Sequence, residues 1–168
     1  FEYFNTELPL ILEGGNCEKG VESTIIGFEN NEPVLYRLGS ISIEEISHVV
    51  GALKIKNKKE IAPEAPGMLE RHYAPKTKTY LVDNIETFIQ DFRNKKIGVI
   101  RFSETMNLAK IERLEVLSKS GDLNEAASKL YSTLHKLDAL NLDIIVAEVF
   151  PDYGLGKSIN DRLLRATK

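Results

Sequence analysis

Arg71, His72 and Tyr73 stand side by side in the stretch A-P-G-M-L-E-R-H-Y-A-P-K, residues 65–76. They place a permanent cation, an imidazole and a phenol in succession, three different kinds of hydrogen-bonding group. Pro63, Pro66 and Pro75 frame them. Each proline fixes its own backbone angle, removes a donor and biases the preceding residue toward extended structure. The stretch is therefore expected to be an extended connector, neither an ordinary helix nor a central strand. A flexible spacer needs no such side chains, although a connector with three incidental polar residues would have the same spacing.

Other residues could join them. Glu22-Ser23-Thr24 follows Gly20-Val21 at the head of an apolar, β-branched run. Hydroxyls beside a glycine can hydrogen-bond a small ligand or a phosphate oxygen; the plainer reading is a pair of edge residues on a strand. Arg37 precedes Leu38-Gly39 at an expected strand end, where a guanidinium can grip a phosphate with two parallel bonds or lie solvated on the surface. His48 and His135 fall on helical stretches and read as helix-surface residues. One cysteine, Cys17, and three scattered histidines make no zinc site of the usual spacing, and G-x-S-x-G is absent. Gly154-Leu155-Gly156-Lys157-Ser158 ends as a phosphate loop does, but that loop needs a glycine where Pro151 stands. It remains either a generic anion site at a helix N-terminus or a glycine turn that opens the last helix.

These residues must be positioned by the elements around them. Leu8 to Glu13 reads as a strand stopped by Gly14-Gly15, and Gly20 to Phe28 as a second strand. Asn30-Asn31-Glu32-Pro33 is a turn leading to a strand at Val34 to Arg37, and pairing of the two strands would bring Ser23 and Arg37 onto one surface. Ser40 or Ser42 can cap a helix with Glu44 and Glu45 in its first turn. The lysine-rich run Lys54 to Lys59 reads as a solvated boundary. Beyond it, strands at Thr79 to Val82, Lys96 to Phe102, Leu114 to Leu117 and Ile144 to Val149 alternate with helices. Asn84 or Asp83 would cap the first helix, Asp122 the longer second one, and Ser158 to Ala166 would close the chain. Near-continuous apolar strands alternating with helices imply a mostly parallel sheet covered on both faces, a small α/β three-layer unit.

The chain has 168 residues, 42% hydrophobic and 28% charged, with a net charge of -3. This composition fits a soluble globular protein, and the charge argues against a generally basic nucleic-acid surface. No apolar run reaches the roughly 18 residues of a membrane span, and no leader is visible. A single cysteine fits a reducing, cytoplasmic compartment. The chain begins at Phe1 in strand-like sequence, as expected of the tail of something longer.

Three stretches in order carry a resemblance: G-V-E-S-T-I-I followed by L-Y-R-L-G-S-I-S, then A-P-G-M-L-E-R-H-Y-A-P-K, then G-L-G-K-S-I-N-D-R-L-L-R-A. Together they are similar to the long, two-domain form of the threonylcarbamoyl-AMP synthases, the YrdC-like family. The resemblance implies a remnant of the YrdC-like α+β domain at 1–53, an extended linker at 54–76 and a Rossmann-like C-terminal domain at 77–168. Members of the family convert ATP, L-threonine and bicarbonate, with Mg2+, into threonylcarbamoyl-AMP and pyrophosphate for tRNA threonylcarbamoyladenosine, and a downstream tRNA-modifying complex is an expected partner. By resemblance Ser23 lines the threonine site, Arg37 contacts ATP phosphates, and Arg71-His72-Tyr73 folds over the nucleotide with Tyr73 as the direct contact. The family's lysine–arginine and serine–alanine–asparagine motifs do not occur, so most of the pocket is expected to lie outside this chain, which alone should not make the adenylate. No catalytic residue or metal ligand can be assigned, and direct RNA binding is not expected. The competing reading is a stand-alone α/β module that binds a nucleotide or a partner through Gly154 to Ser158.

Overall fold

The computed structural model describes residues 8–15, 17–56, 74–104 and 111–167. Arg71, His72 and Tyr73 lie outside the described residues.

The first sheet is built on a hairpin. Strands β1 (Ile25–Glu29) and β2 (Glu32–Arg37) pair antiparallel through Asn30 and Asn31. Both asparagines have positive φ, 50° and 64°, as the two central residues of a type I′ turn require, and that turn matches the natural twist of paired strands. Helix α1 (Ile43–Val50) follows. Ser42 caps it: its hydroxyl accepts from the Glu45 amide at 3.2 Å while the Glu45 carboxylate accepts from the Ser42 amide at 2.8 Å, so two otherwise unmet donors are satisfied reciprocally. The chain returns as β3 (Lys54–Ile55), parallel to β2, giving the order β1-β2-β3.

Three expectations change here. Lys54 is not merely a solvated boundary residue, because it opens β3. The Lys56 amide also donates to the Leu35 carbonyl at 2.8 Å, and its ammonium meets Glu29 at 2.8 Å. Charged side chains can point to water while their backbone stays bonded to a neighbour. Leu8 to Glu13 is not a strand; among the described residues no strand pairs with it, and Leu10 and Leu12 are 72% and 85% exposed. The Gly20 to Phe28 strand begins only at Ile25, which leaves Glu22, Ser23 and Thr24 on the segment entering it.

The second sheet contains β4 (Lys78–Val82), β5 (Ile97–Arg101), β6 (Ile111–Val116) and β7 (Ile144–Glu148), in the order β4-β7-β5-β6. All its described pairings are parallel. Asn84 caps α2 (Ile85–Phe88), which runs on as a 3-10 turn at Ile89–Phe92. This segment covers one face, packing Ile85 and Ile89 with Val99 and Val146. Helices α3 (Leu123–Asp138) and α4 (Leu155–Ala166) cover the other, packing Leu130, Leu134 and Ile159 with Ile100 and Ile145. The inner strands β5 and β7 are buried over their first four residues. This is the expected mostly parallel, three-layer, Rossmann-like sheet, whose middle strands are apolar over those four residues, where water reaches neither face. Helix α4 starts at Leu155 rather than Ser158. Gly156 permits this: a Cβ there would stand 1.9 Å from the Pro151 carbonyl oxygen.

Candidate functional site

The β1–β2 register pairs Ile25 with Arg37, which carries the Arg37 guanidinium back to the entering segment. Its Nε donates to the Ser23 carbonyl at 3.0 Å and its Nη2 to the Ser23 hydroxyl at 3.0 Å. Ser23 is exposed and Arg37 half-buried, so a hydroxyl and a guanidinium are presented together at one open edge. Thr24 serves otherwise. Its hydroxyl donates to the Ile41 carbonyl at 2.8 Å and accepts from the Ile41 amide at 3.0 Å, tying the segment to the approach of α1.

Glu22 turns the opposite way, toward the second sheet's helices. Arg162 of α4, only 5% exposed, donates from Nε to the Glu22 carboxylate at 2.8 Å and from Nη2 to the Leu38 carbonyl at 2.8 Å. Its Nη1 pairs with Asp161. The Tyr131 hydroxyl of α3 lies 3.2 Å from the same Glu22 carboxylate, and the Ser40 amide donates to the Glu22 carbonyl at 2.9 Å. Burial pushes the Glu22 carboxyl up, but the Arg162 guanidinium and the hydrogen bonds around it outweigh that and hold it below the usual carboxylate range. The buried Ser158 hydroxyl donates to the Gly39 carbonyl at 2.8 Å, and Lys157 meets Glu44 at 2.6 Å.

Backbone contact along this seam is as close as glycine allows. A Cβ on Gly20, which has φ 61°, would fall 2.3 Å from the Ser128 Cα, and one on Gly39 would fall 2.3 Å from the Thr24 amide nitrogen. Neither obstacle is a movable side chain.

At Gly154 to Ser158 the glycine turn opens α4, with Gly154 at φ 52°, and the Ser158 hydroxyl and Lys157 ammonium are committed to Gly39 and Glu44. The chemistry of G-L-G-K-S-I-N-D-R is that of a docking surface for the first sheet. Sequence reasoning missed Glu22 and Arg162 as partners. A signal existed: Ile159, Arg162, Leu163 and Ala166 follow helical spacing and are all buried, so an arginine sits within an apolar stripe and requires a partner.

Arg101 and Glu148 end β5 and β7 beside a cleft of about 380 Å3 with Phe102 and Phe150. Sheets of this kind often bind ligands at that end. Here Arg101 is engaged by Glu148 at 2.9 Å and Glu86 at 3.3 Å, and the second Glu148 oxygen accepts from the Phe102 amide at 2.5 Å. Among the described residues no group of three or more His, Cys, Asp or Glu side chains could hold a metal ion, and no helix is long and apolar enough to cross a membrane.

A parallel α/β sheet whose last helix reaches back to grip a hairpin is the arrangement that comparison with known proteins has to match. The family described as threonylcarbamoyl-AMP synthase, C-terminal domain, matches residues 41–167, and the chain belongs to that family. The threonylcarbamoyl-AMP synthase of Pyrococcus abyssi is 33% identical over 99% of this chain and 51% of its own length. That of Bacillus subtilis is 32% identical over 93% and 48%. The chain thus spans about half the length of the curated relatives it matches. The crystal structure of P. abyssi Sua5 complexed with L-threonine superposes with a TM-score of 0.82, at 33% identity, over 92% of this chain and 48% of that one.

Proposed function

We propose that the chain is the C-terminal part of an L-threonylcarbamoyladenylate synthase, a cytoplasmic nucleotidyltransferase. Its substrates are ATP, L-threonine and bicarbonate, its products threonylcarbamoyl-AMP and pyrophosphate, and its purpose is the threonylcarbamoyladenosine modification of tRNA. The observation that carries this reading is the meeting of the Ser23 hydroxyl and the Arg37 guanidinium, 3.0 Å apart at an exposed edge, in a chain of this family. The threonine-bound P. abyssi relative supports L-threonine as the amino acid.

In this reading Ser23 hydrogen-bonds threonine. Arg37 faces the ATP phosphates, where its fixed charge counts for more as negative charge gathers on departing pyrophosphate. Arg71, His72 and Tyr73 belong to a connector that closes over the nucleotide and keeps water from labile intermediates. Residues 1–53 complete a YrdC-like domain, 54–76 form the connector, whose first residues Lys54 and Ile55 still pair with β2, and 77–168 the C-terminal domain. The magnesium ion that accompanies ATP would be held mainly by residues outside this chain; among the described residues no group of three or more His, Cys, Asp or Glu side chains could hold a metal ion.

The test is pyrophosphate release from ATP, L-threonine and bicarbonate, run on this chain and on the complete gene product. The complete product should turn over only with all three substrates, and this chain should be inactive. Turnover that ignores threonine would overturn the reading. Tyr73→Ala and Arg71→Ala in the complete product should each slow adenylate formation at unchanged thermal stability. Full activity in both would reduce the connector to a tether.

A further inference from the structure

Arg162 touches two backbone segments that meet nowhere near it in sequence. On one side it holds Glu22, the residue before Ser23. On the other it holds the carbonyl of Leu38, the residue after Arg37. Ser23 and Arg37 are thus each one residue from a bond to the same guanidinium. Tyr131 steadies the Glu22 carboxylate from α3, and Ser158 takes the next carbonyl, that of Gly39. The guanidinium is itself almost wholly removed from water, so its donors have no solvent to fall back on, and their geometry is set by these partners.

We infer that Arg162 is a positioning residue for the synthase site, fixing the Ser23 segment against the Arg37 strand end so that the C-terminal unit is a working part of the substrate pocket. The inference rests on the functional reading given above. A planar fork is suited to this task because it bonds a carboxylate and a carbonyl at once in one fixed geometry; an ammonium on a flexible stem is not. Small displacements of binding groups are costly to catalysis even when the groups themselves survive.

The experiment uses the complete gene product and measures steady-state pyrophosphate release against L-threonine and ATP concentration, with thermal unfolding alongside. Wild-type turnover comes first: without it the functional reading fails, whatever Arg162 does. Given active wild type, Arg162→Lys should raise the KM for L-threonine on the order of tenfold, with a smaller change in kcat. Ile85→Ala, in the core under α2 on the face of the second sheet opposite α3 and α4, serves as a control that lowers stability and should leave KM unchanged. An unchanged threonine KM in folded Arg162→Lys overturns the inference, as does an equal KM change in Ile85→Ala. Should Arg162→Lys fail to fold, Glu22→Gln decides, since it keeps the side chain's size and loses the charge pair: a raised threonine KM supports the inference and an unchanged one overturns it.

Discussion

The two sheets hold together by different means. Strands β5 and β7 are sandwiched between two apolar layers, with side chains such as Val99, Ile100, Ile145 and Val146 fully buried. In β1, by contrast, half-buried and exposed positions alternate, and Phe28 is 71% exposed. Among the described residues the apolar side chains buried in the first sheet and its helix are Val34, Leu35 and Ile46. The second sheet is held by its own core. The first meets α3 and α4 through the polar contacts of Glu22, Leu38, Gly39 and Glu44, beside Val21 packed on the second sheet's core, and it is the one that carries Ser23 and Arg37. Hydrophobic burial is forgiving of direction and hydrogen bonds are not, so the sheet that carries the candidate site is the one met by directional bonds.

Truncating matched core residues should give the largest effects and the plainest test of this contrast. Ile145→Ala at the centre of the second sheet should cost about 4 kcal/mol and Leu35→Ala in the first about 2 kcal/mol, because a thin layer can collapse around its cavity and a two-sided core cannot. Urea unfolding of both variants measures the difference, and a reversed order would break the comparison. Glycine substitutions sharpen it. The obstacles to a Cβ at Gly39 are backbone atoms of residues 22–24, whereas at Gly98 they are the ends of the Leu142 and Leu137 side chains. Gly39→Ala should therefore cost about 2 kcal/mol and disturb the contact between Ser23 and Arg37, while Gly98→Ala should stay below about 1 kcal/mol. Equal melting temperatures in the two variants would contradict the distinction.

The smallest expected effect is acid sensitivity in the second unit. Hydrogen bonds from Lys129, Ser118 and Ser120 hold the Glu125 carboxyl at about 2, below its ordinary 4.5. A depressed value stabilises the fold fully above the unfolded pKa and loses that contribution as pH falls. Glu125→Gln should thus flatten the decline of melting temperature between pH 4.5 and about 2, and an unaltered acid limb would remove Glu125 from the account.

The same contrast explains what could be read from sequence. Buried parallel strands and helices with side-chain caps announce themselves: Asp122 caps α3 as its spacing implies, and of the two candidates before each of the other helices Asn84 caps α2 and Ser42 caps α1. Features of the first sheet were harder. Leu8 to Glu13 has strand-like composition without a pairing neighbour, and Lys54-Ile55 has boundary-like composition yet pairs with β2. Side-chain polarity reports on solvent, whereas strand formation depends on a partner backbone. At the candidate site, the closeness of Ser23 to Arg37 was legible because a short turn sets the register. The bond between Glu22 and Arg162 was not, because no local rule relates residues so far apart.

That separation of 140 residues also orders events during synthesis. At typical elongation speeds of 5–20 residues per second, roughly ten seconds pass between the emergence of the two partners. The hairpin can close at once, because its contacts are local. Its final orientation must wait for α4 to reach it, so a nascent chain would display Ser23 and Arg37 as neighbours well before Arg162 could hold the segments beside them.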